Sequence, residues 1–165
     1  SDALTYGAIL AATKVFSPGL RVGAGMGIVR QIDDTKVFPF LIVNWQIDDR
    51  WRLGNPFSAG PAGGAGLELT YAPDDRWEFA GGGAVRSTRY RLDDAGIAPG
   101  GIGENRFLPL FARVSHNFGA QTKVDLYAGA ALGGRLKLKD ANGTTVAKDD
   151  YSTAPLIGLT LSHRF

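Results

Sequence analysis

Apolar and polar residues alternate with a period of two along most of the chain, and helical periodicity is poor throughout. The clearest run is Lys123 to Lys139. Val124, Leu126, Ala128, Ala130, Leu132, Leu136 and Leu138 share one face, against Lys123, Asp125, Tyr127, Gly129, Gly133, Arg135 and Lys137. Successive side chains on a strand point to opposite faces, so this pattern predicts a strand between two unlike environments. The final segment repeats it, with Pro155, Ile157, Leu159, Leu161, His163 and Phe165 against Leu156, Gly158, Thr160, Ser162 and Arg164. Leu108, Leu110, Ala112 and Val114 oppose Arg113, Ser115 and Asn117, and Val22, Ala24, Met26 and Ile28 oppose Arg21, Gly23, Gly25 and Gly27. In all, the pattern predicts nine strands, over 4–16, 20–32, 36–47, 51–56, 64–72, 76–92, 105–118, 122–139 and 150–165. The short piece at 51–56 is the weakest of them, and the phase of 4–16 is the least defined.

The connections fall into two kinds. Ser17-Pro18-Gly19, Asp48-Asp49-Arg50, Pro73-Asp74-Asp75 and Gly119-Ala120-Gln121 are short and built from residues with local turn chemistry. Between them come the longer Phe57 to Gly63, Asp93 to Asn105 and Asp140 to Asp150, with Asp33 to Thr35 a short exception. The short turns share flanks. Trp45-Gln46-Ile47-Asp48-Asp49-Arg50-Trp51 parallels Tyr71-Ala72-Pro73-Asp74-Asp75-Arg76-Trp77, and Ser115-His116-Asn117-Phe118 parallels Ser162-His163-Arg164-Phe165. If these lie at one rim, Trp45, Trp51, Tyr71, Trp77, Phe118 and Phe165 form an aromatic belt at one height, the depth amphipathic rings prefer at a membrane interface.

Alternation alone does not say which face is wet, since a soluble lipocalin-like barrel alternates too, with its apolar face inward. Composition decides. Glycine reaches 23 of 165 residues without a collagen period. The less apolar face is mainly Gly, Ala and Ser with occasional charges of both signs, Glu68, Glu78, Arg86, Arg113, Asp125 and Arg135. A solvent-facing sheet carries Lys, Glu and Thr more densely, whereas a narrow lumen needs small residues with room for a few paired charges. The expectation is therefore one domain over 1–165, an antiparallel up-and-down transmembrane β-barrel with polar residues inward. No apolar stretch approaches the roughly 18–20 residues of a membrane-spanning helix. A net charge of +2 gives no argument for nucleic-acid binding, and with no cysteine there is no disulfide or thiolate site.

These features resemble bacterial outer-membrane β-barrels over essentially the whole chain. The ending Leu159-Thr160-Leu161-Ser162-His163-Arg164-Phe165 is similar to the C-terminal strand signal that such proteins present to the barrel-assembly machinery. Phe40 to Leu53, with Trp45-Gln46 and Trp51-Arg52-Leu53, resembles uncharacterised Gram-negative barrels of this kind. The resemblance implies a location in the outer membrane, contact with membrane lipids and no specific activity. Bacterial single-chain barrels have an even number of strands. Nine segments therefore suggest either that 51–56 does not span, or that the chain is the C-terminal part of a barrel of ten to twelve strands. The second is the favoured expectation.

The chain also carries residue pairs and short motifs that touch on catalytic, metal and phosphate chemistry. Ser115 with His116, and Ser162 with His163, are adjacent on strands, so each pair points to opposite faces and cannot form a nucleophile–base hydrogen bond. Asp140-Ala141-Asn142-Gly143 resembles the start of a calcium loop, but Tyr151 stands where the twelfth-position Glu belongs. Asn142-Gly143 is better explained as a hairpin turn. Gly81-Gly82-Gly83 and Gly23-x-Gly25-x-Gly27 lead into no helix, unlike phosphate loops. The expectation is a non-enzymatic outer-membrane protein, structural or a narrow porin-like pore, with no cofactor or metal. The alternatives are an outer-membrane lipid-modifying enzyme or a soluble lipocalin-like carrier.

Overall fold

The structure, a computed structural model, describes residues 5–31, 34–55 and 66–165. Eleven antiparallel strands make one sheet: β1 (Thr5–Ser17), β2 (Leu20–Gln31), β3 (Asp34–Gln46), β4 (Trp51–Gly54), β5 (Gly66–Tyr71), β6 (Trp77–Ala84), β7 (Arg86–Arg91), β8 (Ile102–Phe118), β9 (Thr122–Lys139), β10 (Thr145–Tyr151) and β11 (Ala154–His163). Among the described residues there is no helix. The expected loop Phe57 to Gly63 lies outside them.

The eleven strands occupy nine lines. β6 and β7 both lie along β8 in one register, with Gly83 opposite Leu110 and Arg86 opposite Phe107. Continuing that register sets Ala84 opposite Pro109, which has no N–H to give to a ladder, and the line breaks there. β10 and β11 likewise both lie along β9. The strands expected over 76–92 and 150–165 are thus each one interrupted line. The second begins earlier than expected, at Thr145, which shortens the expected loop at Asp140 to a tight turn. There the Asp140 carboxylate accepts from the Asn142 and Thr144 backbone N–H groups, and Gly143 takes a left-handed φ of 82°.

The sheet curls but does not close. Among the described residues β1 pairs only with β2, and β10 and β11 only with β9. The closed barrel expected from the alternation is therefore corrected to an open, curved sheet. Its curvature shows in Lys36 of β3, whose Nζ lies 3.8 Å from Glu104 of β8 although three lines separate them in the sheet.

Glycines shape the concave side. A Cβ at Gly25 or Gly27 would run into the ring of Phe40 or Phe38 on the neighbouring strand, so the bare backbone of β2 makes room for two aromatic rings. Deeper in, Ala84, Phe111 and Tyr127 pack together, with the Phe111 and Tyr127 rings 6.0 Å apart. Between β8 and β9 the register passes from Arg106↔Arg135 to Leu108↔Leu132. Phe107 thus faces both Gly133 and Gly134, a bulge whose first residue takes the left-handed conformation, φ 58° at Gly133. Every β9 side chain beyond it faces opposite to its expected side.

The two parallel turns are built alike. One oxygen of Asp48 accepts the backbone N–H groups of Arg50 and Trp51, each at 2.8 Å, and Asp74 does the same for Arg76 and Trp77. Those two N–H groups hold the Asp74 carboxyl below its usual pKa. Because the folded-state value is depressed, the contribution is present at neutral pH and lost as pH falls through that value. Asp74→Ala is expected to lower the unfolding midpoint at pH 7, with the deficit shrinking below about pH 4. A pH series of thermal melts reads both.

Candidate functional site

Four of the six polar residues singled out from the sequence meet on the concave face. Arg113 of β8 is the hub. Its Nη2 and Nε donate to the Glu68 carboxylate at 2.7 and 3.2 Å. Its Nη1 donates to Glu78 at 3.1 Å, to Asp125 at 3.2 Å, and to the Ser115 hydroxyl. Ser115 in turn donates to Asp125. Lys123 Nζ adds a 2.8 Å bond to Glu78, and Thr70 donates to Glu68 at 3.3 Å. The strand register explains the convergence. Glu78 lies opposite Ser115, which lies opposite Asp125, and Glu68 of β5 lies opposite Gly82, two residues from the Ala80 that faces Arg113. Period two aims all of them to one side. Glu68 is 6% exposed, Arg113 4% and Asp125 3%. A guanidinium presents a rigid fork of donors, so one side chain can serve three carboxylates.

Arg86 and Arg135 do not join this cluster. Arg86 lies opposite Phe107, six residues along β8 from Arg113, which is roughly 20 Å at the strand rise. Arg135 lies past the Gly133–Gly134 bulge, which turns it to the other face. It bonds Asp150 at 2.8 Å across β9 and β10, half exposed. The placement of Arg135 with the inward charges is therefore corrected.

The cluster forms one end of a cavity of about 1380 Å³ on the concave side, which opens among the short turns. The convex side is the reverse in chemistry. Ile157, Leu159 and Leu161 are 82%, 70% and 65% exposed, and Leu126, Leu110, Leu69 and Leu41 share their face. This apolar band has defined borders. On β2 it runs from Leu20 to Ile28 and is followed by Arg30, on β8 from Phe118 to Leu108 followed by Arg106, and on β9 from Val124 to Leu132 followed by Arg135. Each stretch is nine to eleven residues.

At the short-turn border the expected belt residues sit side by side. Trp51 and Tyr71 are paired across β4 and β5 with ring centroids 4.8 Å apart. Trp77 meets His116 at 4.3 Å, and His116 meets Phe118 at 4.4 Å. Trp45 lies opposite Leu53, and the Arg164 N–H bonds Gln121 at 2.9 Å, which brings Phe165 to the same end. All of them except Tyr71 are exposed.

His116 thus stacks on the convex side, while Ser115 is bonded into the concave cluster. His163 bonds Thr122 at 2.8 Å and stacks on Phe165. Among the described residues no Ser–His hydrogen bond forms, and no group of three or more acidic or imidazole side chains is placed to hold a metal ion. Compared with models of known families, with curated proteins and with solved structures, the chain finds no match.

Thr70, Lys123 and Tyr127 were not singled out as site residues from the sequence. Lys123 and Tyr127 stand at odd positions beside Asp125, and Thr70 two residues from Glu68. Counting every polar residue on the inward phase, rather than the isolated charges, finds them.

Proposed function

We propose that the chain is an integral β-barrel protein of a bacterial outer membrane, with a structural or narrow-pore role and no enzymatic activity. The observation that carries this is the inversion of the sheet. Glu68, Arg113 and Asp125 are buried against one another on the concave side, and the leucines and isoleucines of the convex band face outward. In water that arrangement leaves a large exposed apolar surface, far beyond the few hundred Å² soluble monomers usually show. In a bilayer it is the stable order. The nine-to-eleven-residue band matches the length a tilted strand needs to cross hydrocarbon. Its aromatic and arginine borders suit the two interfaces. No helix among the described residues is long and apolar enough to cross, and a strand-spanning protein needs none.

Among the described residues two edges of the sheet are unpaired. Nine alternating lines make β1 and β10–β11 run in the same direction, so antiparallel closure takes an odd number of further strands. A barrel of ten or of twelve strands meets this and the even count of single-chain outer-membrane barrels. We read Phe165 and its strand as the segment offered to the barrel-assembly machinery.

The test is refolding from urea into short-chain phosphatidylcholine vesicles. The expected results are a folded band that migrates differently from the boiled sample on gels, and strands protected from protease. A chain that is folded and monodisperse in buffer without detergent would sink the reading in favour of a soluble carrier.

A further inference from the structure

The floor of the concave cavity carries an uncompensated charge. Three carboxylates, Glu68, Glu78 and Asp125, face two cations, Arg113 and Lys123, which leaves one negative charge over. Arg113 already serves all three acids, and Lys123 serves Glu78 at 2.8 Å and lies 3.9 Å from Asp125. Net charge held out of water is costly unless a counter-charge joins it.

An independent feature points into the same place. Tyr127, 2% exposed, lines this cavity, and its hydroxyl has no hydrogen-bond partner. Buried hydroxyls are normally satisfied. Tyr127 stands two residues from Asp125 on the same face of β9 and opposite Arg113 of β8.

We propose that this floor binds a ligand bearing a protonated primary amine. One positive charge balances the surplus, and the three N–H donors of an ammonium suit the Tyr127 oxygen and the carboxylates of Asp125 and Glu78. A bare multivalent metal suits it less, because Arg113 occupies the centre of the acids. The cavity volume admits an organic group behind the amine. Arg52, Arg76 and Arg164 also line the cavity, but they are exposed and solvent-screened, whereas the floor is desolvated and keeps its field.

The inference rests on the barrel reading for the state in which it is tested, protein refolded in detergent micelles and checked by the heat shift on gels. Calorimetric titration with methylammonium chloride at fixed ionic strength is expected to give saturable binding. Tetramethylammonium, with the same charge and no N–H, gives none. Tyr127→Phe keeps the ring and its packing and weakens methylammonium binding about tenfold, the worth of one hydrogen bond to a charged group. Absence of saturable methylammonium binding by heat-shift-positive protein overturns the proposal, as does an equal response to tetramethylammonium or unchanged affinity in Tyr127→Phe. A chain folded without detergent overturns the barrel reading instead, and the same titration in plain buffer then decides the site alone.

Discussion

Replacing Arg113 with Met is expected to destabilise the folded protein by about 3–5 kcal/mol, the cost of removing one partner from a buried ionic group. The methionine fills much the same volume, so the loss is electrostatic rather than a cavity. Glu68 and Asp125 lose a charge-assisted partner at once; Glu68 then sits almost fully buried with only the Thr70 hydroxyl beside it, and Asp125 keeps the Ser115 hydroxyl and the Lys123 ammonium at 3.9 Å. Lys123 cannot replace Arg113. It reaches Glu78, but no bond joins it to Glu68. Arg113→Lys is expected to fall between wild type and Arg113→Met, because a point charge cannot fork between Glu68 and Glu78. Adding Glu68→Gln to Arg113→Met should recover part of the loss, since one unpaired charge is removed. Urea unfolding midpoints of the refolded proteins measure the series. Equal midpoints for wild type and Arg113→Met would mean that the cluster contributes nothing to stability.

The convergence around Arg113 was legible in the sequence as far as period two reaches. Glu68, Glu78, Arg113 and Asp125 share the inward phase of their strands, and nothing between each residue and its turn disturbs the alternation. Arg135 was lost to a single extra residue. The Gly133-Gly134 pair inside a strand is a bulge signal, and reading it as one would have flipped Arg135 outward to Asp150. The interruption after Ala84 was not legible locally, because Pro109, which falls opposite Ala84, lies on another strand and only the register brings them together. Closure was not legible at all. It depends on strand count and curvature, which alternation does not encode. The turns were the easiest part, since Asp48 and Asp74 act on backbone groups two and three residues away.

The second large effect concerns the convex face. Leu126→Arg, near the middle of the apolar band, is expected to cost about 2–4 kcal/mol in vesicles, the penalty for a cation on the lipid face at the bilayer midplane. The same change on a water-exposed sheet would stay within about 0.5 kcal/mol. Leu126 lies between Val114 of β8 and Leu159 of β11 and is half exposed, so neither overpacking nor a cavity accompanies the substitution. Depth supplies the control. Phe118→Arg sits at the short-turn border beside His116 and should cost about 0–1 kcal/mol for its charge, because an arginine there reaches the headgroups. A barrel in hydrocarbon makes the two variants differ in that order, by unfolding from vesicles in urea. A soluble sheet makes Leu126→Arg harmless and leaves Phe118→Arg the worse of the two, since only it removes a packed ring. Charge on the convex face thus reads the surrounding solvent, which the buried Arg113 cluster, satisfied within the protein, does not.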